Sequence, residues 1–315
     1  MHSQPVLIDC DPGIDDTVAL LVALASPELD VRAITTVSGN RPVTETTRNA
    51  LQVLDLAGRR DIPVYAGCFR PLILEPVYGQ FHGTSGMGPV ELPPPSRDAE
   101  PVHAVDFIIG ELEKTRAAGS RLTLCALGPL TNLALVLRLR PDLTGAIRRI
   151  VLMGGAFRVP GNRSMTSEFN ILVDPHAAHI VFSSDVPLVI FSLDVTTKAM
   201  ATPERVGRFA EIDNPVARTV AGLMTYWDRN DIKRFGSRGG PLHDPLVILH
   251  LIKPELFGME RARVFVQHEA ELTIGQTVAD WFDKSGLPPN ADIAVSVDVD
   301  GVFALLNERL SRYGD

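Results

Sequence analysis

Four aspartates lie within eight positions near the start of the sequence, in the stretch LIDCDPGIDD at residues 7–16. They are Asp9, Asp11, Asp15 and Asp16, and they directly follow an apolar run at residues 6–8. Carboxylates this close together repel one another unless a positive charge offsets the repulsion. The spacing therefore points to a bound cation as the partner of the cluster.

The same cluster also has a purely structural interpretation. Aspartate is favoured in the first turn of a helix, where it caps backbone N–H groups and complements the helix dipole. This explains Asp15 and Asp16, but not Asp9 and Asp11, which alternate along the last residues of a strand. An EF-hand is excluded, because the twelfth position from either Asp9 or Asp11 is not the required glutamate. We therefore favour a metal site that takes further ligands from distant residues.

The overall composition is that of an ordinary globular protein that binds small molecules. The chain has 315 residues, of which 45% are hydrophobic and 22% are charged, enough to bury a large core. A formal net charge of -8, with no run of Lys or Arg, argues against a nucleic-acid or anionic membrane surface. Three cysteines without C-x-x-C spacing predict neither a disulfide framework nor a zinc site.

The sequence predicts an intracellular protein without a membrane span. Its longest apolar run, residues 18–25, is far shorter than the ~20 residues that cross a bilayer. The N-terminal residues reach charged positions too soon for the apolar region of a signal peptide. Together with the cysteine usage, this favours a cytoplasmic location.

Short β-branched runs alternate with helical patterns along the chain, for example PVLIDC, residues 16–26, VRAITTVSG and residues 44–56. Strands that are apolar throughout and separated by helices are typical of a mostly parallel sheet with both faces covered. We therefore predict an α/β fold, a doubly wound Rossmann-like sheet in a single domain over residues 1–315. Residues 68–101 are rich in Pro and Gly and predict a long loop of the kind that often covers a site.

Polar or glycine-rich segments follow the predicted strands. Ligands bind at the carboxyl ends of strands in open parallel sheets. The first strand delivers the Asp cluster, the second Asn40, the fourth the segment ALGPLTN with Asn132, and the fifth MGG followed by NRSMTSEFN. Either asparagine alone could be a turn residue, but four such loops together predict one ligand site. Further on, HDP places His243 and Asp244 at a helix start, where Asp244 could also be a simple cap.

In this order, the segments DCDPGIDD, ITTVSGN, ALGPLTNLA, MGG, EFN and HDP resemble the inosine-uridine preferring nucleoside hydrolases. The resemblance covers residues 5 to about 250. It implies an enzyme that splits the N-glycosidic bond of a ribonucleoside into ribose and free base, with one tightly held Ca²⁺. It also implies a homodimer or a homotetramer. The local chemistry agrees, since Ca²⁺ takes six to eight oxygen ligands.

The resemblance assigns the metal ligands and the two proton-transfer groups. The Ca²⁺ ligands would be the carboxylates of Asp11, Asp16 and Asp244 and the backbone carbonyl of Leu127. Asp11 would also be the general base, taking a proton from calcium-bound water as that water attacks the anomeric carbon with inversion. His243 would be the general acid that protonates the leaving base.

The remaining roles that the resemblance implies concern the sugar. Asp15 and Asn170 would hold the ribose 2′ and 3′ hydroxyls, while Glu168 and Asn162 would reach the 5′ hydroxyl. Met153 would lie against the ribose. Asn40 would orient the water or the acids.

The residues around the leaving base are less well defined by the resemblance. His82, on the long loop, is a second candidate for the proton donor. Several members of the family place a tyrosine before the HDP segment, and here the corresponding stretch offers Tyr226, Trp227 and Phe235. Since none of these three aligns uniquely, the preference between purine and pyrimidine bases stays open.

Two other functions fit parts of the same sequence pattern. A haloacid-dehalogenase-type phosphatase also has D-x-D after its first strand, but it needs Thr or Val two positions after the second Asp, where this chain has Gly13. A non-catalytic ribose- or calcium-binding protein of the same fold would be expected to lose the base or the acid first. Both Asp11 and His243 are present, which favours an enzyme.

Overall fold

The computed structural model describes residues 3–79, 83, 85–226 and 239–314. Most of the strands predicted from the sequence are present in it. In chain order the described strands are β1 (Gln4–Cys10), β2 (Leu29–Thr36), β3 (Val64–Ala66), β4 (Leu122–Ala126), β5 (Ile147–Met153), β6 (Leu188–Phe191), β7 (Met200–Ala201), β8 (Gly240–Pro241), β9 (Phe257–Val266), β10 (Thr277–Asp280) and β11 (Ala291–Val297).

Nine of these described strands form one sheet in the order β10-β9-β11-β6-β5-β4-β1-β2-β3. The strands from β11 to β3 run parallel, whereas β9 is antiparallel to both β11 and β10. The strands β7 and β8 pair with each other as a short antiparallel ribbon. The prediction of a mostly parallel, doubly wound sheet is confirmed.

The described helices lie between the strands and after the last one. They are α1 (Ile14–Leu24), α2 (Val43–Leu56), α3 (Ala104–Ala117), α4 (Thr131–Leu139), α5 (Phe169–Val173), α6 (Pro175–Phe182), α7 (Leu193–Thr196), α8 (Pro203–Ala210), α9 (Pro215–Met224), α10 (Pro245–Ile252) and α11 (Val299–Ser311). Helix α1 packs against α10 and α11, and α4 packs against α3 and α6.

Both faces of the sheet are apolar, as the hydrophobic pattern predicts. Along β1, the side chains of Val6 and Ile8 belong to one buried cluster together with α1, whereas Leu7 belongs to the cluster formed with α3 and α4. Successive side chains of a strand point to opposite faces, so a strand buried on both faces must be apolar at every position. In the described range, no helix is long and apolar enough to cross a membrane.

The strand order reverses at β1, which lies between β2 and β4 although β4 comes much later in the chain. The register aligns Cys10 with Thr36 on one side and Asp9 with Ala126 on the other. The carboxyl ends of β1, β2 and β4 are therefore level. A crevice forms at such a reversal, and it is where ligands bind in this architecture.

Several element boundaries differ from the predicted ones. Helix α1 begins at Ile14, two residues before the predicted start at residue 16, so Asp15 and Asp16 lie within its first turn. The sequence predicts neither strand β10 nor helices α5, α7, α8 and α9. Helix α5 is only five residues long, too short to show a helical repeat. The described part of residues 68–101 forms a loop, in which Glu100 makes an isolated bridge to Tyr65.

Candidate active site

Asp11 lies at the centre of the crevice, directly after β1, and its side chain is buried. The backbone N–H of Asn40, which follows β2, donates to Asp11 Oδ2 at 2.6 Å. Among the described residues, no hydrogen-bond donor reaches the buried Asp11 Oδ1. One oxygen of this carboxylate is thus held in place, while the other has no partner in the described part of the chain, which suits a group that acts on a ligand.

Asp16 is fixed by backbone groups of its own loop. Its Oδ1 accepts from the N–H of Asp11 at 3.2 Å, and its Oδ2 accepts from the N–H of Gly13 at 3.0 Å. The Asn40 side-chain amide also donates to Asp16 Oδ2 and to the backbone oxygen of Asp11, both at 3.2 Å. Asn40 therefore forms hydrogen bonds with both acids.

Three carboxylates come together beside Asp11. Asp15, Asp16 and Asp244 each offer an oxygen within 4.8 Å of the oxygens of the other two. Asp244 stands at the start of α10 but makes no side-chain capping bond, so the simple interpretation as a helix cap is wrong. An all-oxygen set of this kind is what Ca²⁺ prefers, so the residues fit the predicted ion.

The electrostatics of these acids fit the same interpretation. Burial, followed by the charge of Asp16, raises the pKa of Asp11 well above its usual range. Burial and the neighbouring Asp15 raise the pKa of Asp16 to about 7. The pKa of Asp244 is raised in the same direction by burial and then by Asp15 and Asp16. A divalent cation would remove this repulsion and allow the acids to ionise together.

Asp9 is not part of the group formed by Asp15, Asp16 and Asp244 and belongs to a separate buried network. Its Oδ1 accepts from the hydroxyl of Thr35 and, at 2.8 Å, from the side-chain amide of Asn132. The same amide donates to the carbonyl of Thr36, and Asn132 Oδ1 accepts from the N–H of Cys68. Asn132 thus ties together the ends of β1 and β2 and the start of the long loop, a structural role for two polar residues.

Glu168 and Asn170 lie on the other side of the crevice, at the start of α5. The Glu168 carboxylate accepts from the N–H groups of Asn170 at 3.0 Å, Gly155 at 3.2 Å and Ile171 at 3.3 Å. Burial raises its pKa to about 7, although these N–H groups oppose the rise. The structure thus holds this buried carboxylate firmly by backbone donors.

The other predicted sugar-binding residues lie around Asn170. Its side-chain amide donates to the carbonyl of Leu127 at 2.7 Å and to that of Met153 at 3.1 Å. Asn162 Oδ1 accepts from the N–H of Phe169 at 3.0 Å, next to Glu168. The segments that follow β4 and β5 therefore meet here, and the predicted metal ligand Leu127 lies within the same group.

His243 Nδ1 lies 2.8 Å from the hydroxyl of Thr196, which is fully buried in α7. It directly precedes Asp244, which is a member of the acidic cluster. Tyr226, one of the candidates for contact with the leaving base, has 37% of its surface exposed. The predicted residues His82, Trp227 and Phe235 lie outside the described residues.

Two glycines that sequence reasoning did not single out enclose the Asp11 carboxylate. A Cβ on Gly39 would lie 2.2 Å from Asp11 Oδ2, and one on Gly128 would lie 2.4 Å from Asp11 Oδ1. Neither distance is possible for real atoms, so only glycine fits at either position. Both glycines stand in segments, VSGN and ALGPLTN, that were predicted to end at the site.

The fold and this acidic crevice define a class of enzyme, the nucleoside hydrolases. A sequence model of the family described as inosine-uridine preferring nucleoside hydrolase matches residues 6–304. The chain belongs to this family, which confirms the resemblance read from the motifs and disfavours a dehalogenase-type phosphatase.

The relatives cover nearly the full length of the chain. The chain is 44% identical over 311 residues to the pyrimidine-specific ribonucleoside hydrolase RihA of Citrobacter koseri, with 98% of each chain covered. Among solved structures, a plant nucleoside hydrolase matches with a TM-score of 0.91 at 32% identity. A purine-preferring ribonucleoside hydrolase from Gardnerella vaginalis matches with 0.90 at 31%. Both structural alignments cover 98% of this chain and 99% of the other chain.

The close approach of Gly39 to Asp11 gives the first prediction. We expect Gly39→Ala to lower turnover about 10²-fold, because the added Cβ displaces the Asp11 carboxylate, and a shift of about 1 Å in a reacting group has a cost of that order. The matched control is Gly110→Ala in α3, where a Cβ meets nothing within 4 Å. That variant should keep full turnover, measured as reducing sugar released from ribonucleosides. Near-normal turnover in Gly39→Ala would contradict the geometry.

Proposed function

We propose that this chain hydrolyses ribonucleosides to ribose and free base, with one Ca²⁺ ion, Asp11 as the general base and His243 as the general acid. The observation that carries the proposal is the buried Asp11 carboxylate, with one oxygen fixed by Asn40 and the other without a donor among the described residues. It lies beside the Asp15, Asp16 and Asp244 cluster. Family membership supports the choice of substrate.

The cation site would be formed by the carboxylates of Asp11, Asp16 and Asp244 and the carbonyl of Leu127. Supporting this set, Asp16 and Asp244 each offer an oxygen within 4.8 Å of the other and of Asp15. Burial and the charges of neighbouring acids raise the pKa values of Asp11, Asp16 and Asp244. The Leu127 carbonyl is already oriented by the Asn170 amide, and a carbonyl oxygen has a second lone pair for another partner. When bound, Ca²⁺ supplies a fixed positive centre that holds ribose hydroxyls and water near the acids.

Asp11 acts as the base in this mechanism. Asn40 restrains one carboxylate oxygen, so Asp11 Oδ1 is the atom assigned to accept the proton from the attacking water. The water forms a bond to the anomeric carbon as the bond from that carbon to the base nitrogen breaks. Direct displacement by water inverts the anomeric centre, and the transition state resembles an oxocarbenium ion.

The ribose is held by residues on both sides of the crevice. Asp15 and Asn170 bind the 2′ and 3′ hydroxyls, and Asn170 Oδ1 is the acceptor because its amide nitrogen is engaged with two backbone carbonyls. Glu168 and Asn162 bind the 5′ hydroxyl. Met153 is buried beside Asn170 and packs against the sugar.

His243 donates a proton to the departing base. The Thr196 hydroxyl, 2.8 Å from His243 Nδ1, holds the imidazole in place. The preferred base stays open, since the relatives' names include both a pyrimidine-specific and a purine-preferring enzyme. The cytoplasmic location and the assembly of two or four copies also stay predictions.

The general base gives the second prediction. We expect Asp11→Asn to keep the fold but to lose ~10²–10⁴-fold in turnover, because the amide has the same size but accepts no proton. Asp213→Asn is the matched control, since the Asp213 side chain is fully exposed and far from this chemistry. The measurement is the release of reducing sugar from a panel of purine and pyrimidine ribonucleosides. Wild-type-like turnover in Asp11→Asn would refute the assigned role.

The general acid gives the third prediction. A purine or pyrimidine leaves more easily when protonated, whereas nitrophenolate is stable as an anion. We therefore expect His243→Ala to lower ribonucleoside hydrolysis by ~10²–10⁴-fold and to leave p-nitrophenyl riboside cleavage nearly intact.

The two substrates separate the possible roles of His243. Equal losses on both would mean that His243 supports Asp244 or the ribose geometry instead of donating a proton. No loss on either would place the acid elsewhere, with His82 and Tyr226 as the next residues to replace.

A further inference from the structure

The connection between β9 and β10 lies against the segment that carries Glu168 and Asn170. Thr277, the first residue of β10, is buried, and its hydroxyl accepts from the N–H of Ala156 at 2.9 Å and donates to the carbonyl of Ala156 at 3.0 Å. One side chain therefore satisfies both polar backbone groups of a residue just after β5. Such double pairing fixes the backbone more tightly than packing alone.

The residue before Ala156 connects this contact to Glu168. Gly155 has a positive φ of 88°, and its N–H donates to Glu168 Oε2 at 3.2 Å. A Cβ on Gly155 would lie 3.0 Å from the Thr277 hydroxyl, so the β10 side chain packs directly on this turn. The direction of the Gly155 N–H, and with it the Glu168 carboxylate, thus depends on how Thr277 holds the turn.

Two more contacts from the same connection lie on either side of Glu168. The Ser167 hydroxyl is buried and donates to the carbonyl of Ile274 at 2.6 Å. Gly275 has a positive φ of 78° and approaches so closely that a Cβ there would lie 2.9 Å from the Cα of Leu172. The connection therefore holds the segment before and after Glu168.

We infer that Thr277 is a positioning residue for ribose recognition, acting through Ala156 and Gly155 on the Glu168 carboxylate. The inference rests on the proposed function, in which Glu168 binds the 5′ hydroxyl. Its consequence is that the antiparallel edge of the sheet, which contributes no group to the acidic cluster described above, sets the selectivity for the 5′ end of the substrate.

The test compares the best ribonucleoside substrate with its 5′-deoxy counterpart, which lacks the hydroxyl that Glu168 binds. Thr277→Val keeps the shape of the side chain but removes both hydrogen bonds. We expect it to lower kcat/KM about tenfold or more on the ribonucleoside and less than about twofold on the 5′-deoxy compound. Thr277→Ser keeps the hydroxyl. It should therefore show the wild-type ratio of kcat/KM on the ribonucleoside to kcat/KM on the 5′-deoxy compound.

Two further variants make the result specific. Thr123→Val is the matched control, since Thr123 is a buried threonine at the amino end of β4 whose hydroxyl accepts from Gln4, and it should leave the ratio unchanged. Ser167→Ala removes the second contact with a smaller change in volume. Ser167→Ala should lower the preference in kcat/KM for the ribonucleoside over the 5′-deoxy compound, and this can be measured even if Thr277→Val does not fold.

Equal losses on the two substrates in Thr277→Val, or no loss on either, would overturn the inference. The failure of the proposed function has a different signature. In that case the wild-type chain hydrolyses no ribonucleoside, or Glu168→Gln leaves the preference for the 5′ hydroxyl unchanged. If Glu168→Gln removes the preference and neither Thr277→Val nor Ser167→Ala does, the inference fails and the proposed function stands.

Discussion

The burial of several carboxylates in one crevice is the constraint on which the rest of the structure depends. Asp11, Asp16, Asp244 and Glu168 are all at most 4% exposed, and each has a raised pKa. Burying like charges is costly unless they are paired or neutralised. The chain offsets part of this cost with backbone N–H groups that donate to Asp11, Asp16 and Glu168. A bound cation would offset the rest of the cost of burying these charges.

The fold explains why the acids can be brought together at all. They come from positions up to 233 residues apart, Asp11 and Asp244. The strand reversal at β1 brings the loops after β1, β2 and β4 to one edge of the sheet, and Asp244 joins them because α10 packs against α1. The close approach of Gly39 and Gly128 to Asp11 shows how tightly the loops after β2 and β4 meet there. The antiparallel strands β9 and β10 then support the opposite wall, which carries Glu168.

The sequence predicted the parallel sheet and the order of its polar loops, because both follow from local patterns. Apolar strands alternate with helices, and the Asp cluster directly follows β1. The sequence could not tell whether Asp244 is a cap or a ligand, since either role suits an Asp before a proline. In the structure its side chain makes no capping bond and lies with those of Asp15 and Asp16. The pairing of Thr196 with His243 was equally inaccessible, because it joins residues 47 positions apart through the tertiary fold.

Helix α5 shows a second limit of sequence patterns. It has five residues and begins directly after Glu168, whose side chain caps it by accepting from the N–H groups of Asn170 and Ile171. No hydrophobic repeat announces such a short helix. The part of the prediction that depended on residues 82, 227 and 235 lies outside the described chain.

Thermal unfolding at several pH values, with chelator and with Ca²⁺, tests most directly whether the buried acids require a cation. The pKa of Asp16 is raised to about 7, above that of an unfolded aspartate, so the chelated protein should become less stable as the pH rises from 5 to 8. Saturating Ca²⁺ should remove this fall, because it binds the ionised acids and stabilises only the folded state. Asp16→Asn, which has no charge to bury, should show a smaller fall under chelation. An unfolding midpoint that is equal at pH 5 and pH 8 under chelation, or unchanged by Ca²⁺ at pH 8, would contradict the account.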